Sequence, residues 1–230
     1  MTEEHEHDHA GHEHAEHEHA GHEHAGHDHA EHEHEHEHDF DYVGAVEDER
    51  ARKDAWFKSS PSSPLPHELR HDFQGLPYFA VDPELRFEEL GLEPYAGDEP
   101  SNFQIPTSDG QLRPAHRAGS LHFELGGEPR SLAAYVMDAH TAPGHEGHEI
   151  LPSVFVPFLD ATSGLETYGA GRYLDIEPEE DGTYSLDFNL AYHPSCVYDI
   201  RFSCPLTPAE NRLPVRIEAG ERLAEGDEGH

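Results

Sequence analysis

No Val, Ile, Leu, Phe, Trp or Tyr occurs between Thr2 and Asp39, and no Lys or Arg occurs before Arg50. A segment of this kind has nothing to bury and cannot offset the entropy of ordering its backbone, so residues 1–39 are expected to be a disordered tail. Lysine is scarce throughout, with only Lys53 and Lys58 against twelve arginines. No apolar run approaches the ~20 residues that span a bilayer, and the N-terminus shows no basic region followed by an apolar stretch. Two cysteines, Cys196 and Cys204, imply no disulfide framework. The expected address is therefore the cytoplasm. A formal charge of −35 leaves no basic face for nucleic acid or an anionic membrane.

What the first 39 residues do contain is histidine: His5, His7, His9, His12, His14, His17, His19, His22, His24, His27, His29, His32, His34, His36 and His38. Neutral imidazole is a good ligand for Zn²⁺, Ni²⁺ and Cu²⁺, and the interleaved Glu and Asp side chains can complete a coordination sphere. From Glu31 to His38 the alternation is strict, which in an extended chain puts imidazoles on one side and carboxylates on the other. So many ligands without one enforced geometry suit buffering, capture or delivery better than catalysis. Zinc is the first expectation, on availability.

From Phe40 the composition changes. All eleven Phe, all nine Tyr and the single Trp lie beyond this point, enough for one core. Fourteen of the 49 acidic residues belong to the tail, which leaves a formal −21 on residues 40–230. A body this acidic repels itself in dilute buffer and is screened in concentrated salt, as in proteins of salt-accumulating organisms. Residues 42–58 predict a short helix, with Val43, Val46 and Arg50 at helical spacing and Trp56 and Phe57 anchoring its end. The Ser/Pro stretch at 59–66 predicts a linker. Thereafter short strands are expected at 78–81, 85–89, 102–105, 120–125, 131–137, 154–159, 171–177, 183–189 and 215–218, with an acidic end fraying from about 224. Gly126-Gly127 and Pro178–Gly182 mark hairpin turns. The fold class is mainly β, an antiparallel barrel or sandwich with one N-terminal helix.

Three stretches carry a resemblance. They are Phe158-Leu-Asp-Ala-Thr-Ser-Gly-Leu-Glu-Thr-Tyr-Gly-Ala-Gly-Arg-Tyr-Leu174, Asp187-Phe-Asn-Leu-Ala-Tyr-His-Pro-Ser-Cys196, and Ser203-Cys-Pro-Leu-Thr-Pro-Ala-Glu-Asn-Arg-Leu-Pro214 with Glu218-Ala-Gly-Glu221. Together they resemble domain of unknown function family 1684, strongly over residues 158–221 and more loosely over 42–151. The family pattern reads Asn at His193 and Pro at Thr207. The resemblance sets domain limits and implies no activity.

Within those stretches Arg172, Asp187, Asn189, Tyr192, His193, Glu210 and Asn211 are the candidate pocket residues. A hairpin about Pro178–Gly182 would place Arg172 opposite Asp187–Asn189, where its guanidinium clamps a small anionic ligand or pairs internally with Asp160, Asp175 or Asp187. The alternative is a polar corner that satisfies loop backbone. Cys196 could act as a nucleophile only with a base beside it, and His193 is the one local candidate. In an extended segment the two cysteines would lie about 26 Å apart, against roughly 4.4–6.8 Å for a disulfide, so both are expected to be buried, reduced thiols. A second histidine group, His140, His145 and His148, is a weaker metal candidate. Two functions stand open: metal handling by the tail on a ligand-binding or docking domain, or an enzyme of unassigned reaction around Arg172, Asp187, Asn189 and Glu210.

Overall fold

The computed structural model describes residues 40–137, 151–224 and 226, so the tail histidines and His140, His145 and His148 lie outside the described residues. The described body is mainly β, and its sheets are antiparallel and sandwich-like without closing into a barrel. Helix α1 (Tyr42–Ser59) precedes strands β1 (Arg86–Leu90), β2 (Leu92–Pro94), β3 (Asn102–Pro106) and β4 (Leu112–Leu125). Then follow β5 (Glu128–Met137), β6 (Val154–Phe158), β7 (Arg172–Ile176) and β8 (Tyr184–Asp187). The large sheet runs β2-β4-β5-β6-β7, with β3 also on β4, and β1 pairs with β8 in a second, two-stranded sheet.

The main core lies on one face of the large sheet. Alternation sends Leu121, Phe123, Leu132, Ala134, Val154, Val156, Phe158, Leu174 and Ile176 to that face, where they meet Leu85, Tyr184, Leu186 and Phe188. Tyr135, Phe155 and Tyr173 point the other way into a smaller aromatic cluster. Strand β6 is therefore buried at all five positions. The β4–β5 hairpin turns on Gly126 and Gly127, both at positive φ (63° and 75°), the geometry that two-residue hairpin loops require.

Helix α1 begins at Asp41, whose Oδ1 accepts the Gly44 N–H at 2.9 Å. Of its side chains only Val46 and Phe57 are buried, while Val43 and Trp56 are exposed. Its end is thus anchored by Phe57 alone, edge-on to Tyr198 (4.9 Å) and stacked on Phe73 (6.0 Å). Polar contacts hold the rest. Arg50 donates to the carbonyls of Phe79 (2.9 Å) and Asn189 (3.3 Å), Lys53 pairs with Glu221 (2.5 Å), and Asp54 accepts the Leu76 N–H (3.0 Å). The Ser/Pro stretch is not a free linker. Arg70 donates to the carbonyls of Ser60, Ser63 and Leu65, and Ser63 is buried.

The expected β7–β8 hairpin does not form. Glu179 N–H donates to Thr183 O (2.8 Å), so the turn exists, but the strands it joins enter different sheets. Arg172 pairs with Phe158 on β6, and Asp187 pairs with Arg86 on β1. The other edge of β7 is taken at Tyr173, which exchanges backbone bonds of 2.9 and 3.0 Å with Tyr192. Strand β4 starts earlier than its hydrophobicity suggests, because Asn102–Pro106 pairs along its polar first half. Residues 78–81 make one bridge, Tyr78 to Glu221, and residues 215–218 form no strand.

Candidate functional site

Residues 215–221 form no strand; isolated backbone bonds to Ala161, Phe79 and Ala191 hold them, and buried side chains satisfy most of the rest. Arg172 is fully buried. Its Nη2 donates to Ile217 O at 2.8 Å, and its Nη1 donates to Ala219 O and to Glu221 O, the latter at 3.1 Å. The carboxylate of buried Asp160 accepts the Ile217 N–H (2.8 Å) and lies 3.5 Å from Arg172 Nη2. Guanidinium and carboxylate therefore supply the partners of Ile217 and Ala219 that a neighbouring strand would otherwise supply. Burial pulls the Arg172 pKa down to about 10, against the opposing pull of Asp160. Gly171 makes the approach feasible: its φ is +105°, and a Cβ there would lie 2.5 Å from Phe158 O. Of the three internal partners expected for Arg172, Asp160 is the one in place.

Glu221 continues this network. Its Oε2 accepts the His193 N–H (2.7 Å) and the Tyr198 hydroxyl (2.8 Å), and its Oε1 meets Lys53 Nζ at 2.5 Å. His193 Nε2 accepts the Tyr168 N–H at 3.3 Å. The ring is thus occupied by backbone on that nitrogen, and its Nδ1 lies 3.7 Å from Glu221. Burial raises the Tyr198 pKa well above its usual value, with the Glu221 charge adding to the shift.

Asp187 and Asn189 do come together, through a 3-10 turn (Phe188–Leu190) instead of strand alternation. Asp187 Oδ1 accepts the Asn189 N–H at 2.9 Å, and Asn189 Nδ2 and Oδ1 bond Asp82 O (2.7 Å) and N (2.8 Å). Tyr42 of α1 donates to Asp187 Oδ2 (2.8 Å) and accepts from Asn189 Nδ2 (2.9 Å). Burial, and then the Asp187 carboxylate, raise the Tyr42 pKa. Asp187, Tyr42, Arg86, Asp175 and Glu177 line an open cleft of about 410 Å³. Tyr192 donates its hydroxyl to Asp175 at the same side of the sheet.

Glu210 and Asn211 serve another region. Asn211 is buried and bonds Ala133 N–H (2.7 Å), Ala133 O (2.8 Å) and Pro157 O (2.7 Å). Glu210 is exposed, accepts the Tyr135 hydroxyl at 2.8 Å and lines a separate cleft of about 330 Å³ with Arg117, Tyr95 and Ser120. The structure thus gathers Asp187 with Asn189, sets Arg172 under the C-terminal segment with Asp160, and places Glu210 in a different cleft. Tyr42 and Glu221 are central members that motif spacing did not single out, and Asp160 was named only as one of three internal partners for Arg172. The Gly220-Glu221 pair in the last resembling stretch was the available signal for Glu221.

The cysteines are closer than an extended chain allows. Both are buried free thiols, and the Cys196 N–H donates to Cys204 Sγ at 3.3 Å. The segment reverses without Gly or Pro, through a 3-10 turn at Ser195–Val197 and a turn in which Phe202 N–H donates to Asp199 O (3.0 Å).

The family model "Protein of unknown function (DUF1684)" matches residues 71–222. The chain belongs to the DUF1684 family. The uncharacterized protein of Haloarcula marismortui known from a solution NMR structure is 37% identical, with a TM-score of 0.56, and the match covers 80% of this chain and 95% of that one. No curated protein matches the sequence. The DUF1684 region contains Arg172, Asp160, Asp187, Asn189 and Glu221, while Tyr42 and Lys53 of α1 lie upstream of it. Among the described residues no helix is long and apolar enough to cross a membrane.

Proposed function

We propose that this DUF1684 protein handles divalent transition metals, loading Zn²⁺, Ni²⁺ or Cu²⁺ on residues 1–39, with the β domain as a ligand-binding or docking platform. The observation that carries this reading is the run of fifteen imidazoles from His5 to His38, interleaved with carboxylates. Among the described residues no group of three or more His, Cys, Asp or Glu is placed to hold a metal, so the reading assigns the capacity to the histidine-rich segment. The clefts at Asp187 and Glu210 are the places for a further ligand on the platform. Arg172 does not offer an anion clamp, because its Nη atoms already donate to backbone carbonyls.

Calorimetric titration with Zn²⁺ of the full chain and of residues 40–230 tests the proposal. Several ions per full chain and few on the shortened one are expected. Ligation requires the deprotonated ring, whose unperturbed pKa is about 6.5, so bound metal should be released as pH falls toward 5. Equal stoichiometry in the two proteins would sink the reading. We further propose a cytoplasm rich in salt as its setting. The acidic body supports this, as does the relative from Haloarcula marismortui, which is a halophile.

A further inference from the structure

We propose that Cys196 and Cys204 form a site of reversible oxidation, a dithiol that a small hydroperoxide converts into an intramolecular disulfide. The argument begins with placement. Cys204 is held against the end of β3: its N–H donates to Ser108 Oγ (3.1 Å), its carbonyl accepts the Ser108 N–H (2.8 Å), and Thr107 bridges Pro205. Cys196 is held from the other side by the Ser195–Val197 turn, just after Tyr192 pairs with β7. These two anchors bring the Cys196 N–H to 3.3 Å from Cys204 Sγ. The metal-handling reading makes no use of the pair.

The surroundings make one sulfur a nucleophile and leave the other as its proton donor. Hydrogen bonding from Cys204, helped by Ser108 and Tyr168, outweighs burial and lowers the Cys196 pKa below the usual thiol range. Tyr168 OH lies 3.9 Å from Cys196 Sγ. The Cys204 pKa moves up, through its hydrogen bonding with Cys196 and then burial; the Cys196 N–H that donates to its sulfur and, less, Arg113 oppose the shift. Tyr173 also faces the pair, and its own pKa is raised by burial. Ser108 is exposed beside the thiols and Phe202 is 39% exposed, so a water-sized oxidant has a short approach.

The chemistry balances with one hydroperoxide. The Cys196 thiolate attacks the terminal peroxide oxygen, the O–O bond breaks, and the leaving oxygen takes a proton to become water, or an alcohol from an alkyl hydroperoxide. Cys196 is now a sulfenic acid. The sulfur of Cys204, losing its proton, attacks the Cys196 sulfur, the S–O bond breaks and water leaves. Two thiols are oxidised and one peroxide is reduced. External thiol reverses the change by thiol–disulfide exchange.

The test treats the full-length protein at neutral pH with a small excess of hydrogen peroxide and reads intact mass and digested peptides. The expected result is loss of two hydrogens, a peptide linking Cys196 to Cys204, and reversal by dithiothreitol. In Cys204→Ser, dimedone should trap a sulfenic acid on Cys196, while Cys196→Ser should take up at least about tenfold less dimedone. A third readout needs no variant: iodoacetamide labelling of native Cys196 should set in at a lower pH than for an ordinary thiol. If the native protein keeps both thiols and joins them only after denaturation, or joins them only between chains, the proposal is overturned. Neither result bears on zinc loading by residues 1–39, so the two readings fail separately.

Discussion

Arg172 shows how one side chain can replace a strand. Its Nη atoms reach three backbone carbonyls, of Ile217, Ala219 and Glu221, with Asp160 completing the charge. A buried guanidinium is stabilising only while all these partners are present, since removing part of the set leaves polar groups in a dry interior. Arg172→Lys keeps the charge but loses the planar fork, and one ammonium cannot span the same three acceptors. We expect it to lower the unfolding free energy by about 3 kcal/mol, read from the urea midpoint. A change within about 0.5 kcal/mol would show that the fork is dispensable. The uncommon polar residues and glycines of the resembling stretches were legible as a coherent group. That they hold up backbone was not, because residue types alone do not say whether a guanidinium faces a ligand or the chain's own carbonyls.

Among elements, the sequence resolves those whose burial alternates and misplaces those whose partners are chosen by side chains. The β4–β5 hairpin and β6 follow from the Gly126-Gly127 turn and the apolar run at 154–158. The turn at Pro178–Gly182 is equally readable, but a turn specifies a reversal and not the sheet each arm joins. Tyr192 occupies the edge of β7, so β8 pairs with β1. Helix α1 has almost no apolar stripe, and its docking rests on Arg50, Lys53, Asp54 and Tyr42. Tyr42 is the clearest test, because its hydroxyl both donates to Asp187 and accepts from Asn189. Tyr42→Phe should cost about 1–2 kcal/mol, since the ring stays and two buried partners lose a bond. Hydrogen exchange should locate the loss at the first turns of α1 and at residues 187–189. Uniform loosening of the whole sheet, or no loss, would mean that the helix is held by its other contacts.

At the scale of the whole molecule the decisive quantity is charge. Residues 40–230 carry a formal −21, and the exposed ion pairs between Arg52 and Glu49, Arg201 and Asp199, and Arg216 and Glu166 involve only a few carboxylates. Such exposed pairs each contribute about 0–1 kcal/mol at most, and salt weakens them. Repulsion among the unpaired acidic groups acts over longer distances, so salt weakens it as well, and the two effects have opposite sign. With so large an excess of one charge the repulsion dominates. Raising salt from 0.1 M to 1 M shortens the Debye length from about 10 Å to about 3 Å, which removes most of that repulsion. The metal-free protein should therefore melt at least about 5 °C higher in 1 M KCl than in 0.1 M KCl. Screening also predicts the shape of the response, steep below 1 M and shallow above it, whereas preferential exclusion of salt from the surface would keep rising with concentration. At a pH near 4, where many carboxylates are protonated, the same salt step should have a much smaller effect. A melting temperature that falls with KCl at neutral pH would show that the specific ion pairs, and not the net charge, govern stability.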